Sequence, residues 1–307
     1  METISKFPYT HQPLRSISFP TRGNPSSQRV QSLLNNLKQH HKHSLSSNFY
    51  SKTETIQSDL VLLAEMYNCM EEELFNSQQT QQALLHYKDG KLISQTLCGS
   101  VILLDACECS RDLLLILREH MQTLESSIRR RIRKGDSSIE NSVSSYESFR
   151  KNAKKKISKQ LLQLKRMQNK VNSFSLCDNQ DQKLTFLATV LREANTITIT
   201  ILCSMLLFLS MPALGTKGSS LISKLKPMML FSSLKEGNNN NGVGELNNVL
   251  CCLIGKEKSS DYNSEGQRAL KLLERLNVDI DGLESGLDCM FRCLVKNRVL
   301  FLNMLAH

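Results

Sequence analysis

Tryptophan is absent from the 307 residues, and aromatic residues together make up only 6% of the chain. Strands favour aromatic and β-branched side chains, so this scarcity leans toward helix and away from a β-sandwich. Ten cysteines are too sparse for a disulfide scaffold, and no Cys-x-x-Cys occurs. Cys98, Cys107, Cys203, Cys289 and Cys293 lie among apolar neighbours in helical patterns, as small hydrophobes of a reducing compartment do. The N-terminus has no apolar run of the signal-peptide kind, which leads to the expectation of a cytoplasmic or nuclear protein.

Catalytic signatures are missing as well. Gly255-Lys256 lacks the upstream glycine and the following Ser/Thr of a phosphate-binding loop, and Gly242-x-Gly244 sits in a polar linker. No Gly-x-Ser-x-Gly is present. Glu71, Glu72 and Glu73 are consecutive, so on a helix they fan outward and cannot converge on one substrate. His40, His41 and His43 could bind a metal loosely, but they lie in a flexible segment with no matching Cys or carboxylate partner, and no native metal site is expected. The expectation is a non-enzymatic protein without catalytic, metal or cofactor residues.

What the chain does have is concentrated charge. Residues 129–170 hold fourteen Lys/Arg against three Asp/Glu, a balance of +11, while residues 1–128 carry −2 and residues 171–307 carry +1. The net +10 is therefore local. The block divides into Arg129, Arg130, Arg131, Arg133 and Lys134, then Arg150, Lys151, Lys154, Lys155, Lys156 and Lys159, continuing to Lys165, Arg166 and Lys170. These residues predict contact with an anionic surface, either a charged membrane leaflet or an acidic protein. The spacing of the two clusters also fits a bipartite nuclear-import signal. Nucleic acid ranks lower, because no aromatics interleave the block and no reading motif surrounds it.

Hydrophobic periodicity places the block on helices. Residues 1–50 are rich in Ser, Pro, Gln, Asn and His and read as a mostly disordered arm, with one helical turn around Val30–Leu37. From Thr53, the residues Ile56, Leu60, Leu63, Tyr67 and Met70 recur at threes and fours, and a Gln-rich bridge (78–85) follows. Leu103, Cys107, Leu114, Leu117, Met121, Leu124 and Ile128 form a stripe that ends at Gly135, and Ser137 with Glu140 suits a capping box for the next helix. The basic block thus predicts an antiparallel hairpin.

Residues 194–216 contain no charge and are long enough to cross a bilayer, which makes a single-span membrane protein the alternative reading. Against it, Thr185, Thr189, Arg192, Thr196, Thr200 and Ser204 mark one polar face, as on a half-buried soluble helix that ends at Pro212 and Gly215. A loop with short helices covers about 215–262. Beyond it Leu273, Leu276, Ile280, Leu283, Leu287, Met290, Leu294, Phe301 and Met304 predict one helix about 65 Å long, broken in pattern only at Asn297. Its wide apolar face suits an intramolecular bundle better than a homodimeric coiled coil.

Arg15-Ser16-Ile17-Ser18-Phe19-Pro20 supplies one further motif. Phosphorylated Ser18, with Arg15 before it and Pro20 after it, has the form read by fourteen-three-three proteins.

The ordered set of Leu14–Pro20 with Pro25, Gln78–Leu84, Leu103–Cys107, Leu124–Arg131, Leu283–Arg292 and Val299–Asn303 resembles the plant-specific Bypass-like family over about residues 10–306. The resemblance implies a helical, non-enzymatic plant protein connected with root and shoot development, with some relatives linked to the exocyst tethering machinery. It carries over no catalytic residues, and the Asn run at 238–241 departs from it. The combined expectation is an all-α, elongated antiparallel bundle over 51–307 behind the arm 1–50. It would act as a cytoplasmic adaptor, peripheral at membranes.

Overall fold

Six prolines occur, all within residues 1–25 and 212–227, so no ring interrupts the apolar periodicities between them. The computed structural model describes residues 25–44, 50–86, 90–134, 139–173, 182–210, 242–255 and 259–306, and every element among these residues is helical. They are α1 (Pro25–Ser44), α2 (Tyr50–Met70), α3 (Gln78–His86), α4 (Lys91–Lys134), α5 (Ile139–Ser173), α6 (Gln182–Leu209), α7 (Gly242–Gly255) and α8 (Ser259–Ala306). A π-helical turn, Glu71–Phe75, continues α2. Gly90 turns the chain into α4 at φ 71°, a left-handed conformation that glycine adopts without strain. The positions of Gly135, Ser137, Pro212 and Gly215, assigned above to turns, a cap and a helix stop, lie outside the described residues.

Helix α8 is the axis of the bundle. Its whole periodic stripe, from Leu273 through Met304, is buried, and Asn297 is buried within it. Helix α4 runs antiparallel along one side: Arg118 pairs with Asp281 and Glu284 at 2.6 and 2.7 Å, Arg111 with Asp288 at 2.8 Å, and Arg298 donates to the Leu97 carbonyl and Ser100. Helix α2 runs parallel to α8 on another side. Gln57 donates to the Asp279 carbonyl at 3.1 Å, Cys293 meets Ala64, and Phe75 packs edge-on against Phe301 at 5.4 Å. Two glycines one turn apart permit this approach. A Cβ on Gly282 would collide with the Gln57 amide, and one on Gly286 would stand 3.0 Å from Leu60 Cβ.

The hairpin forms as expected. Ser127 Oγ meets Ser142 Oγ at 2.7 Å near the turn, His120 stacks on Phe149 at 4.9 Å farther along, and Gly99 lies against Met167 at the far end. Helix α6 packs on α5, α4, α1 and α2. The six residues of its polar stripe are all half-exposed, while the opposite face is buried. Thr189, Thr196, Thr200 and Ser204 each return their hydroxyl to the carbonyl four residues back, which satisfies them without a partner helix. Thr198, on the buried side, instead also reaches the Tyr67 hydroxyl at 3.0 Å.

The N-terminal segment departs from expectation. Residues 25–44, read from composition as mostly disordered, form a helix that docks on α2 and α6. Val30, Leu34 and Leu37 are buried there. His40 and His41 each place Nδ1 2.7 Å from one oxygen of the Asp59 carboxylate, which is itself buried. A twenty-residue polar helix is marginal in isolation. Here its apolar edge is buried against α2 and α6, and the two histidines gain a partner 18 and 19 residues away.

Arg150 also departs from expectation. It is 5% exposed, and Nη1 donates to the Leu209 carbonyl at 2.8 Å. That carbonyl closes α6, where a cation also favours the negative end of the helix dipole.

Two stability outcomes follow from this packing. Gly286→Val should cost about 1–3 kcal/mol by overpacking against Leu60, lowering the thermal midpoint in circular dichroism while helix content below the transition stays unchanged. Arg150→Met should cost roughly 2 kcal/mol through the lost charged hydrogen bond, whereas Lys155→Met on the same helix should leave the midpoint unmoved.

Candidate functional site

The six-residue basic stretch that closes α4 before the hairpin turn (129–134) and the helix after it distribute their charge differently. At the end of α4, Arg129 forks onto Glu125 Oε1 at 3.0 and 2.7 Å, one turn back on its own helix. Arg130 donates to Ser127 Oγ at 3.1 Å. Arg131 is half-buried: it lies 3.3 Å from Glu140 of α5 and 4.6 Å above the Tyr262 ring of α8. It therefore clamps three helices together and has little freedom to meet an external anion. Arg133 is exposed, and Lys134 closes α4 with its side chain outside the described residues.

On α5 the buried face is Ile139, Val143, Tyr146, Arg150, Ala153, Ile157, Gln160, Leu161, Leu164 and Met167. That spacing turns Lys151, Lys155, Lys159, Arg166 and Lys170 outward on one exposed stripe. Lys156 is exposed at its edge, and Lys154 and Lys165 are half-buried. Of the basic residues expected to meet an anionic surface, Arg150 therefore does not, because it faces the interior, and Arg131 is held between helices. Arg166 and Lys170, where the block ends in the sequence, are exposed on the same stripe.

Among the described residues no acid lies across from the stripe, although acids face several basic residues elsewhere in the bundle. Elsewhere Arg29 pairs with Glu73, Lys38 with Glu193, Arg111 with Asp288, Arg118 with Asp281 and Glu284, and Arg268 with Glu245. Among the described residues, Lys151, Lys155, Lys156 and Lys159 have no carboxylate within ion-pair distance. Like charges four apart on a helix repel by about 0.2–0.5 kcal/mol per pair. Their heads recur about every 6 Å, inside the ~8 Å Debye length at physiological salt, so their fields add. An opposing anionic surface would relieve the repulsion and collect the summed field. Leu162, 42% exposed, lies between Lys159 and Arg166 on this stripe and offers an apolar contact among the charges.

The acidic run behaves as its spacing implies. Glu72 is exposed, Glu71 and Glu73 are half-exposed, and Glu73 pairs with Arg29. No group of three or more His, Cys, Asp or Glu side chains is placed to hold a metal among the described residues. His40 and His41 are spent on Asp59, and the His43 side chain lies outside the described residues. So do Arg15, Ser18 and Pro20. Burial pushes the Cys107 and Cys203 thiols up to about 12, although Arg111 opposes the shift at Cys107, so both are inert packing groups.

Sequence patterning found the block and its hairpin but could not divide it. The signal for Arg150 was available in hindsight: it falls on the buried phase set by Val143, Tyr146, Ala153 and Ile157. No local signal reveals that a backbone carbonyl 59 residues later would satisfy it.

Among the described residues one helix, α6, is long and apolar enough to cross a membrane by length and composition, and 61% of its most apolar window is buried inside the bundle. No curated protein and no solved structure matches the chain. The family model described as Protein BPS1 matches residues 59–304, from α2 to the last turn of α8, so the chain belongs to the BPS1 family, in agreement with the Bypass-like motifs.

Proposed function

We propose that this protein is a non-enzymatic plant developmental protein, connected with root and shoot development, that works as a helical adaptor at anionic membranes. Family membership suggests the developmental role. The observation that supports the mechanism is the acid-free stripe Lys151, Lys155, Lys159, Arg166 and Lys170 on the exposed face of α5. The stripe spans about 28 Å of helix, so several residues can touch a flat leaflet at once. A basic residue near a charged leaflet contributes about 1 kcal/mol, enough for four or five to hold a protein reversibly.

Burial of α6 supports peripheral attachment over a single span through 194–216, because its apolar face already belongs to α5, α4, α1 and α2. The part of that segment beyond Ser210 lies outside the described residues. An acidic protein, such as a membrane-tethering partner of the exocyst kind, would meet the same stripe and is the competing outcome. The N-terminal arm would serve as a phosphorylation-controlled second contact through Ser18.

The unmodified full-length protein should co-sediment with vesicles containing phosphatidylserine and not with neutral phosphatidylcholine vesicles. Reversing Lys151, Lys155 and Lys159 to Glu should weaken partitioning by about two orders of magnitude, since three engaged charges are worth ~3 kcal/mol. Lys296→Glu, on the exposed side of α8, should change it less than about twofold. Binding that ignores anionic lipid, or survives the triple reversal, would sink the membrane reading. Separately, capture by a fourteen-three-three protein should require phosphate on Ser18; equal capture of Ser18→Ala would remove the arm from the mechanism.

A further inference from the structure

Helix α7 presents two adjacent thiols to solvent. Its buried side consists of Leu246, Asn247, Val249, Leu250 and Leu253. Asn247 accepts from the Tyr146 hydroxyl of α5 at 3.2 Å, and Glu245 pairs with Arg268 of α8 at 2.8 Å, so α7 is fixed at both faces. The outward side carries Asn248, Cys251 and Cys252, with Ile254 42% exposed beside them. Glu245 is the one ionisable group besides these thiols on a helix otherwise apolar or amide-bearing. An uncharged outer face is unusual on a chain whose residues are 22% charged.

The location matters as much as the composition. Cys251 is close enough to Glu147 of α5 for that carboxylate to act on its thiol, and Lys151, which begins the lysine stripe, lies one turn farther along α5. The start of α8, to which α7 leads, packs against the end of α4: Gly266 lies against Ile128 and Ile132, and Tyr262 lies under Arg131. The two thiols and the beginning of the basic stripe therefore share one end of the molecule.

Three uses of a vicinal thiol pair can be compared. A disulfide is disfavoured: consecutive Cα atoms are 3.8 Å apart, below the usual range for a bridge, and a helix splays neighbouring side chains by about 100°. A metal site lacks a third ligand among the described residues. Transfer of an acyl group asks of the protein an exposed thiol beside apolar surface, which Cys251, Cys252 and Ile254 provide, and a nearby membrane, which the reading above supplies.

We propose that Cys251 and Cys252 are a paired S-acylation site taking long-chain fatty acyl groups, an anchor that completes the attachment begun by the α5 stripe. The inference rests on the membrane reading above and deepens it. In the transfer, the Cys sulfur attacks the carbonyl carbon of a long-chain acyl-coenzyme A thioester. The new carbon–sulfur bond forms as the bond to coenzyme A breaks, and the cysteine proton leaves with the departing thiol. No oxidation state changes. Partial burial, with Cys252 and Glu147 adding, holds the Cys251 thiol above its ordinary value, so a transferase must supply the base. One acyl chain gives only marginal, reversible binding, and stable anchoring takes a second chain or a basic patch. This end of the protein provides for both.

The test uses the full-length chain expressed in plant cells fed an alkynyl palmitate analogue. Label should be released by neutral hydroxylamine, fall at least about fivefold in Cys251→Ser/Cys252→Ser, and persist in Cys98→Ser, another exposed cysteine. The double variant should shift from the membrane pellet to the supernatant with an unchanged thermal midpoint. An unlabelled wild-type protein, or full label on the double variant, overturns the proposal. The unacylated recombinant protein separates the two ideas. Charge-dependent vesicle binding without cellular label defeats acylation alone, whereas cysteine-dependent label with charge-independent vesicle binding defeats the stripe alone.

Discussion

Everything in this bundle depends on how closely helices can approach α8. Its buried stripe from Leu273 to Met304 must be covered on several sides, and α2 reaches it where Gly282 and Gly286 leave room for Gln57 and Leu60. Burial of leucine-sized side chains contributes about 1.5–3 kcal/mol each, which requires contact at van der Waals distance. A pair of larger side chains at those glycines would hold α2 off and open the core along its length. On the other side the ladder of Arg111 and Arg118 with Asp281, Glu284 and Asp288 sets the register of α4. Such partly exposed pairs add little stability, but a shift of register would break all three.

Charge is used in two ways. Between helices it is matched, as in that ladder and in the contact of Arg150 with the end of α6. On the outer side of α5 it is unmatched, and the repulsion among the lysines is tolerated because Ile157, Leu161, Leu164 and Met167 hold the opposite face. The same helix is thus secured inward by apolar burial and left electrostatically unsatisfied outward. The uncharged face of α7 lies at one end of this stripe, where an apolar anchor and a cationic surface would act on the same leaflet.

Much of this was legible in the chain. The α8 stripe, the hairpin and the polar edge of α6 follow from strict three- and four-residue spacings, and those periodicities survive in the packed structure without a shift of phase. The docking of α1 was not legible, because its helix draws on Asp59 and on contacts with α6 while its own composition is polar and rich in Asn, Gln and His. The division of the basic block was only partly legible. Arg131 and Arg150 have the same chemistry as their neighbours, and what sets them apart is the Tyr262 ring and the Leu209 carbonyl, both distant in sequence.

By itself the sequence determined the helical class, the long unbroken elements, the local origin of the net charge and the family. These depend on residue order over one or two turns, where side-chain spacing and backbone geometry act directly. Only the tertiary structure decided which arginines are structural, that Lys151, Lys155 and Lys159 of α5 face outward with no acid opposite, and that two cysteines of α7 face outward beside them. Those properties depend on which surfaces remain after distant helices have packed, because burial and charge pairing are settled by neighbours in space and not by neighbours in the chain.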